Sequence, residues 1–315
     1  MSIFLARRFL TFLITLSGAS VIIFLLLEVL PGDPALTMLG VDAPDSAVVA
    51  IRLELGLDRP AAVRYAAWIA GLFHGEMGLS YVYKVPVTEL IGQRLQVTLP
   101  LAIGSMALAT LAALSLGIFA ATNHNRIGDY GVMGFSQLGL AIPDFWFGIL
   151  LIILFAVILH WLPSGGFAGW DDGIWRGARS LLLPVFTLSL SLTAVMTRVT
   201  RSAVLEVARE DFVRTARAKG LSRRAALWRH VLRNALVPVL TIGGVLVATV
   251  LTGTLVIENV FSLPGVGKLI FDAISNRDLM VVKNVVLLFA AIVVVVNFMV
   301  DILYAMVDPR IRIQT

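Results

Sequence analysis

Three acidic residues lie in or beside long apolar runs of this 315-residue chain: Asp144, Glu258 and Asp301. A carboxylate within a membrane span is costly, and by default it suggests a site that faces the interior of a helix bundle. Asp144 follows Pro143, and two interpretations are open for it: contact with a cationic group of a transported molecule, or a helix-packing hydrogen bond. Glu258 is expected at an outer mouth, where solvation alone would explain it, and Asp301 is expected to pair with an arginine. Asp144 and Glu258 are thus the candidate residues of a translocation pathway.

The residue types used by enzymes and metal sites form no recognisable pattern. The chain has no cysteine, which excludes thiolate metal sites and a cysteine nucleophile. Gly265-Val-Gly267-Lys268 is similar to a phosphate-binding loop, but Ser262 stands where that motif requires its first glycine, and Leu269 replaces its Ser or Thr. The histidines lack metal-ligand spacing; they are His74, His124, His160 and His230. We therefore predict no catalytic residue, no metal site and no enzyme activity in this chain.

The densest charge lies in residues 198–233, which hold 10 of the 25 Lys and Arg residues and three acids. Lys219-Gly220 is an arrangement that ends helices, and Ser222 can cap the helix that follows. Two short amphipathic helices joined at Gly220 are therefore predicted. The expected apolar faces are Leu205, Ala208, Phe212 and Ala216 in the first helix, and Trp228, Val231, Leu232 and Ala235 in the second.

Three interpretations of this basic segment are open from the residues alone. It could be an inner loop made basic by membrane topology and by attraction to anionic lipid. It could be a helix-turn-helix that binds nucleic acid. It could also be an element that docks into the groove of a cytoplasmic partner, which suits a helix pair with one apolar and one polar face held between two spans.

The elements that position these residues are predicted to be membrane-spanning helices. The chain is 58% hydrophobic and 14% charged, whereas soluble domains are about 45–50% apolar and about 25% charged. This composition excludes a soluble enzyme and predicts an all-α polytopic membrane protein. Six apolar segments are long enough to span a bilayer, approximately 9–30, 97–121, 131–161, 180–200, 235–257 and 284–307. The first is longer than the apolar region of a cleaved signal peptide and is interpreted as an uncleaved anchor.

The distribution of basic residues predicts the orientation of the chain. With the N-terminus inside, the inner loops hold 15 Lys and Arg residues and the outer loops hold 10. Five of those 10 lie in the long first outer loop, and long loops follow the charge rule poorly. Both termini are therefore predicted to be cytoplasmic, and the net charge of +5 is explained by topology, not by binding to nucleic acid.

The predicted outer loop, residues 31–94, contains two helical patterns. Val48, Ile51 and Leu55 have helical spacing within Asp45–Leu57, and Ala61–Phe73 is also amphipathic. This small cap is either a passive spacer or a scaffold that docks a soluble outer partner. A second outer segment, 258–283, is expected to form a tight turn before a short helix, Leu269–Ile274.

The basic segment and several shorter motifs resemble one known family. Glu210–Ser222, with the sequence EDFVRTARAKGLS, is similar to the EAA loop of the dipeptide/oligopeptide/nickel permeases of binding-protein-dependent ABC importers. Further motifs occur in the order found in that family: Gly56–Pro60, Phe145–Gly148, Leu162–Gly166, Phe261–Gly267 and Val300–Arg312. Two departures stand out. Arg214-Thr215-Ala216 replaces the Glu-Ala-Ala of the general loop, and Asp144 stands where a small or hydroxyl residue is expected.

This resemblance implies a type I ABC importer transmembrane fold over residues 1–315, in a bacterial inner membrane. It implies a second homologous permease subunit, two ATPase subunits that bind ATP and Mg, and an extracytoplasmic substrate-binding protein, with no cofactor in this chain. The implied substrates are peptides, with glutathione, a nickel chelate or another small solute as alternatives. The residues implied to couple to the ATPase are Asp211, Arg214, Thr215, Ala216, Arg217, Gly220, Leu221 and Ser222.

Without the resemblance, the leading alternative is a self-sufficient secondary transporter or channel. Such proteins often contain internal repeats with matching broken helices. The chain has no second copy of the 198–233 pattern.

Overall fold

A computed structural model describes residues 2–29, 34–40, 42–171 and 173–307 of the chain. The described residues are mostly helical and contain no extended strand, in agreement with the predicted all-α class. In chain order the helices are α1 (Ser2–Val29), α2 (Pro34–Leu39), α3 (Asp45–Glu54), α4 (Ala61–Phe73), α5 (Val87–Thr122), α6 (Ile127–Ala141), α7 (Asp144–Leu151), α8 (Ile174–Val207), α9 (Asp211–Ala218), α10 (Arg223–Ala226), α11 (Leu232–Val260), α12 (Val266–Ser275) and α13 (Leu279–Val307). The predicted tail 308–315 and the start of the predicted outer loop, 31–33, lie outside the described residues.

Two π-helical segments modify this order. Ile152–Ile158 extends α7, and Leu227–Val231 joins α10 to α11, so the chain is helical from Arg223 to Val260.

Within the described ranges, five continuous helices are long and apolar enough to cross a membrane. They are α1, α5, α8, the joined helix Arg223–Val260 and α13. The last four each contain a predicted apolar segment, and α1 covers residues 9–29 of the first predicted segment, 9–30.

The third predicted span, 131–161, is not one continuous helix. α6 and the helix that starts at Asp144 meet at an angle of 100°, and they count as a sixth span only when taken together. Ile142 is extended at the junction, with φ −87° and ψ 123°. The physical reason is Pro143, which has no N–H and disfavours the α conformation in the residue before it.

The bundle is built around α8, which packs against α5, α11, α6 and α7. The largest side chains at its centre are almost fully buried, among them Leu101 of α5, Leu188 and Met196 of α8 and Ile257 of α11. α1 lies at the side of the bundle, where it packs mainly on α13. Arg8 of α1 forms an ion pair with Asp301 of α13 at 3.1 Å, which confirms the predicted pairing of Asp301 with an arginine.

The two ends of the bundle differ in what they carry. One end carries α9 and α10 and is called the basic end; the other carries α2, α3, α4 and α12 and is called the cap end. α4 matches the predicted helix Ala61–Phe73, and α12 contains the predicted short helix Leu269–Ile274. Amphipathic spacing was sufficient to identify α4, and the turn before Leu269 was sufficient to identify α12.

Candidate functional sites

The basic end presents a short helix-turn-helix between two spans. α8 ends at Val207, a turn follows, and α9 leads through Gly220 into α10. Gly220 has φ +98°, a conformation that favours glycine, and its N–H donates to the carbonyl of Arg217 at 3.0 Å. The Ser222 hydroxyl accepts a hydrogen bond from the N–H of Ala225 at 3.2 Å. The predicted junction at Gly220, the Ser222 cap and the short first helix are confirmed, whereas the predicted short second helix is the start of the continuous helix Arg223–Val260.

The predicted apolar face of the first helix is wrong in register. Val213 is the buried residue of α9, whereas Phe212 is 44% exposed. The reason is the turn after Val207, which interrupts the helical phase that the prediction continued from Leu205 to Ala216. In the second helix Val231, Leu232 and Ala235 are buried as predicted, but Trp228 is 62% exposed.

The eight predicted coupling residues lie together on this element, and most of them are exposed. The side chains of Asp211 and Arg214 are 93% and 75% exposed, and the Arg214 guanidinium donates to the Asp211 carboxylate at 3.4 Å. Arg217 forms no ion pair with the part of the chain that is described. Thr215, Gly220 and Ser222 are also exposed, and Ala216 and Leu221 are half-buried. An exposed polar surface on a buried apolar base is therefore available at the basic end.

A buried ion pair braces α8 just before this element. Arg201 donates to both carboxylate oxygens of Asp129, at 2.6 and 2.7 Å, and Asp129 is 1% exposed. His124 and the N–H of Asn125 complete the site, with His124 Nδ1 3.1 Å from the Arg201 guanidinium. This group fixes the start of α6 to the end of α8.

Sequence analysis missed this pair. The available signal was weak: one acid in the first turn of an apolar helix and one arginine near the end of another, 72 residues apart. A single sequence does not show which acid meets which arginine over such a separation.

Asp144 occupies the corner between α6 and α7. It is the first residue of α7, and its Oδ2 accepts a hydrogen bond from the Ser191 hydroxyl of α8 at 3.1 Å. Its Oδ1 is buried and has no hydrogen-bond partner among the described residues. Asp144 therefore makes a helix-packing hydrogen bond and still has a buried oxygen able to accept another.

The expectation that Glu258 is solvated at an outer mouth is wrong, because its side chain is 0% exposed. The Thr98 hydroxyl donates to its carboxylate at 2.6 Å, and the N–H of Lys268 donates at 3.0 Å. The glycines beside it are required by this packing: a Cβ added to Gly265 would lie 2.2 Å from the carboxyl carbon of Glu258. Glu258 thus satisfies buried donors at the start of α12, which supports a structural role in place of the predicted pathway role.

Comparisons with known proteins agree with one another. The family described as "Binding-protein-dependent transport system inner membrane component" matches residues 113–313, and the corresponding N-terminal family matches residues 1–102. A putative peptide transport system permease protein of Brucella abortus is 42% identical over 93% of each chain. The di/tripeptide transport system permease protein DppB of Pseudomonas aeruginosa is 40% identical over 99% of each chain. The glutathione transport system permease protein GsiC of Salmonella choleraesuis is 39% identical over 98% of each chain.

Solved structures match at the level of the fold. The inward-facing MetNI methionine ABC transporter aligns with a TM-score of 0.56 and 17% identity, over 70% of this chain and 96% of that one. An amino acid ABC transporter with histidines aligns with a TM-score of 0.53 and 12% identity, over 70% of this chain and 94% of that one.

Proposed function

The chain belongs to the family of inner membrane components of binding-protein-dependent transport systems, and from this premise we propose that it forms half of the pathway of an ATP-driven peptide importer. The observation that carries the proposal is the exposed α9–α10 element, which lies between the spans α8 and α11 in the chain. The names of the relatives support di- or oligopeptides as substrates, and the similarity to GsiC supports the tripeptide glutathione as a second candidate.

In this proposal the free energy of ATP reaches the chain mechanically. Two ATPase subunits bind ATP and Mg, and their closure moves α9 and α10 as a unit. Arg214 and Arg217 make charge-assisted hydrogen bonds to carboxylates of the ATPase. Because α10 continues into α11, and α9 follows α8 after one short turn, this movement tilts the two spans that pack together at the centre of the bundle.

The remaining assembly follows from the same proposal. A second homologous permease supplies the other half of the pathway, and an extracytoplasmic substrate-binding protein delivers the peptide to the cap end. The basic end faces the cytoplasm, which agrees with the excess of Lys and Arg in residues 198–233.

Asp144 is the proposed contact for the substrate within the membrane. Its buried Oδ1 offers an acceptor to the ammonium group that dipeptides, oligopeptides and glutathione share. The position at the corner between α6 and α7 places this acceptor where the backbone changes direction, against the central helix α8.

A substitution at Gly220 tests the coupling role. In proteoliposomes that contain the complete importer, Gly220→Trp is expected to preserve assembly and to abolish peptide uptake. The rate of ATP hydrolysis is then expected to be the same with and without substrate. Gly75→Trp is the matched control for assembly and for ATP hydrolysis without the substrate-binding protein, because Gly75 also has positive φ and nothing within 4 Å of an added Cβ. Unchanged transport by Gly220→Trp would show that the coupling assignment is wrong.

Expression of the chain alone tests its class. A secondary transporter or channel would move substrate without other subunits, whereas the proposed subunit is inert until its ATPases are present. Uptake by the isolated chain in vesicles without ATP would contradict the proposal.

A further inference from the structure

A cavity of about 590 Å³ lies at the cap end, away from Asp144 and from α9 and α10. Its walls come from the outer ends of α1 and α13 and from the segment that contains α2, α3 and α4. Because α1 packs mainly on α13 at the side of the bundle, the cavity lies beside the central cluster around α8 and not within it.

The cavity carries more cations than acids. Four basic residues line it, and its acids are Glu28 and Glu76; the basic residues are Arg52, Arg59, Arg64 and Lys283. The Glu28 carboxylate forms an ion pair with Arg64, since it accepts a hydrogen bond from the Arg64 guanidinium. The Nε of Arg64 is buried without a hydrogen-bond partner. The ion pairs of the described ranges include neither Arg59 nor Lys283. An excess of basic over acidic side chains in a partly enclosed space favours an anionic ligand.

Lys283 is held in a fixed position beside an aromatic ring. Its ammonium lies 4.7 Å from the centroid of the Trp68 ring, a cation–π geometry. The Trp68 indole N–H donates to Asn284 at 3.0 Å, and the Asn284 amide donates to the carbonyl of Met77 at 2.8 Å. The ring and the ammonium are therefore anchored to both sides of the cavity before any ligand arrives.

The other walls are neutral or apolar. Phe24 and Leu27 of α1 and Met280 of α13 face the same space. Burial, with a smaller contribution from the nearby Asp278 carboxylate, raises the pKa of Tyr81 to about 12, so its hydroxyl stays uncharged. These walls add no negative charge that would compete with a bound anion.

The surface beside the cavity is suited to hydrocarbon. Leu25, Leu26 and Val29, which neighbour Leu27 and Glu28 on α1, are 53%, 64% and 82% exposed. We propose that the cavity binds the phosphate group of an anionic phospholipid, with Lys283 and Arg64 as its ligands and the acyl chains along the exposed face of α1. The lipid site does not include Asp144, α9 or α10, so the test of lipid binding is separate from the tests of the proposed function.

Binding of defined lipids to the purified full-length chain tests the site. Native mass spectrometry in detergent would compare phosphatidylglycerol, zwitterionic phosphatidylcholine and inorganic phosphate as competitor. Lys283→Met is expected to weaken phosphatidylglycerol binding by about tenfold, the effect of losing roughly one charge-assisted contact. Lys283→Arg keeps the charge and is expected to keep the lipid. Lys268→Met is the matched control, since Lys268 lies at the same end of the molecule but does not line the cavity.

Three results would overturn the proposal. The first is equal retention of phosphatidylglycerol by Lys283→Met and Lys268→Met. The second is equal affinity for phosphatidylcholine and phosphatidylglycerol. The third is displacement of the lipid by an equal concentration of inorganic phosphate, which would identify a soluble anion as the ligand. If Lys283→Met does not fold, Lys283→Gln replaces it, because the amide keeps a polar side chain but removes the charge, and binding is again expected to weaken by about tenfold. Unchanged binding by Lys283→Gln would then count against the site.

Discussion

Asp144 has one satisfied and one unsatisfied carboxylate oxygen, and each can be tested with a different substitution. If the charge binds the substrate, Asp144→Asn loses uptake by about tenfold or more, because an amide does not replace the charge of a carboxylate. Asp144→Leu is expected to lose at least as much. Uptake of a labelled dipeptide by the reconstituted importer measures both variants.

Ser191→Ala supplies the control for Asp144. It removes the packing hydrogen bond and leaves the carboxylate, so most of the uptake should remain. Wild-type uptake by Asp144→Asn, with loss only in Asp144→Leu, would assign Asp144 to helix packing alone. Uptake at the wild-type level by both variants would remove Asp144 from the pathway.

The prediction for Glu258 concerns the stability of the folded protein, because its carboxylate binds only buried groups of the same chain. Glu258→Ala leaves buried donors on Thr98 and Lys268 unpaired, at a cost of about 1–3 kcal/mol for each. The midpoint of thermal unfolding in detergent is expected to fall by several degrees. A loss of 1 kcal/mol lowers the midpoint by about 2–4 °C in a domain of roughly 150–250 residues. Glu89→Ala changes an exposed acid of α5 and should leave the unfolding midpoint unchanged. An equal decrease of the midpoint in both variants would contradict the structural role of Glu258 at α12.

At the scale of elements, Asp129 and Arg201 connect α6 to α8 close to the α9–α10 element. Arg201→Ala leaves a buried carboxylate without its partner, which costs about 3–5 kcal/mol in comparable ion pairs. We expect a large fall in thermal stability of the assembled importer, whereas Arg198→Ala, an exposed arginine one turn earlier on α8, should have little effect. The double variant Asp129→Leu/Arg201→Leu should recover most of the loss. A double variant as unstable as Arg201→Ala would show that the charge pair is not the cause.

Element by element, the sequence predicted what local chemistry controls. Gly220, Ser222 and the amphipathic spacing of residues 61–73 were sufficient, because caps and helix ends depend on neighbours within a turn or two. Pro143 is present in the sequence and indicates a helix break. The angle of 100° between the two helices depends on how α6 and α7 each pack against α8. The burial of Asp129 and Glu258 depends on partners that lie far away in sequence, Arg201 and Thr98, and a single chain does not identify them.

For the whole molecule, the absence of cysteine provides a direct test of orientation. In a background with no native thiol, Gly75→Cys at the cap end and Arg217→Cys at the basic end each add one exposed site. A membrane-impermeant thiol reagent added to intact spheroplasts is expected to label Gly75→Cys and to label Arg217→Cys only after lysis. The reverse pattern would invert the proposed topology.

The continuous helix from Arg223 to Val260 connects the basic end of the bundle to the cap end. Its α11 part alone has 29 residues, and at about 1.5 Å per residue it is roughly 40–45 Å long, so a tilt of about 5° displaces one end by roughly 4 Å relative to the other. That displacement exceeds the length of a hydrogen bond, and Glu258 sits at the far end of the helix. If the proposed ATPase movement tilts this helix about its basic end, α12 moves with Glu258 or loses the hydrogen bond from the Lys268 N–H to Glu258.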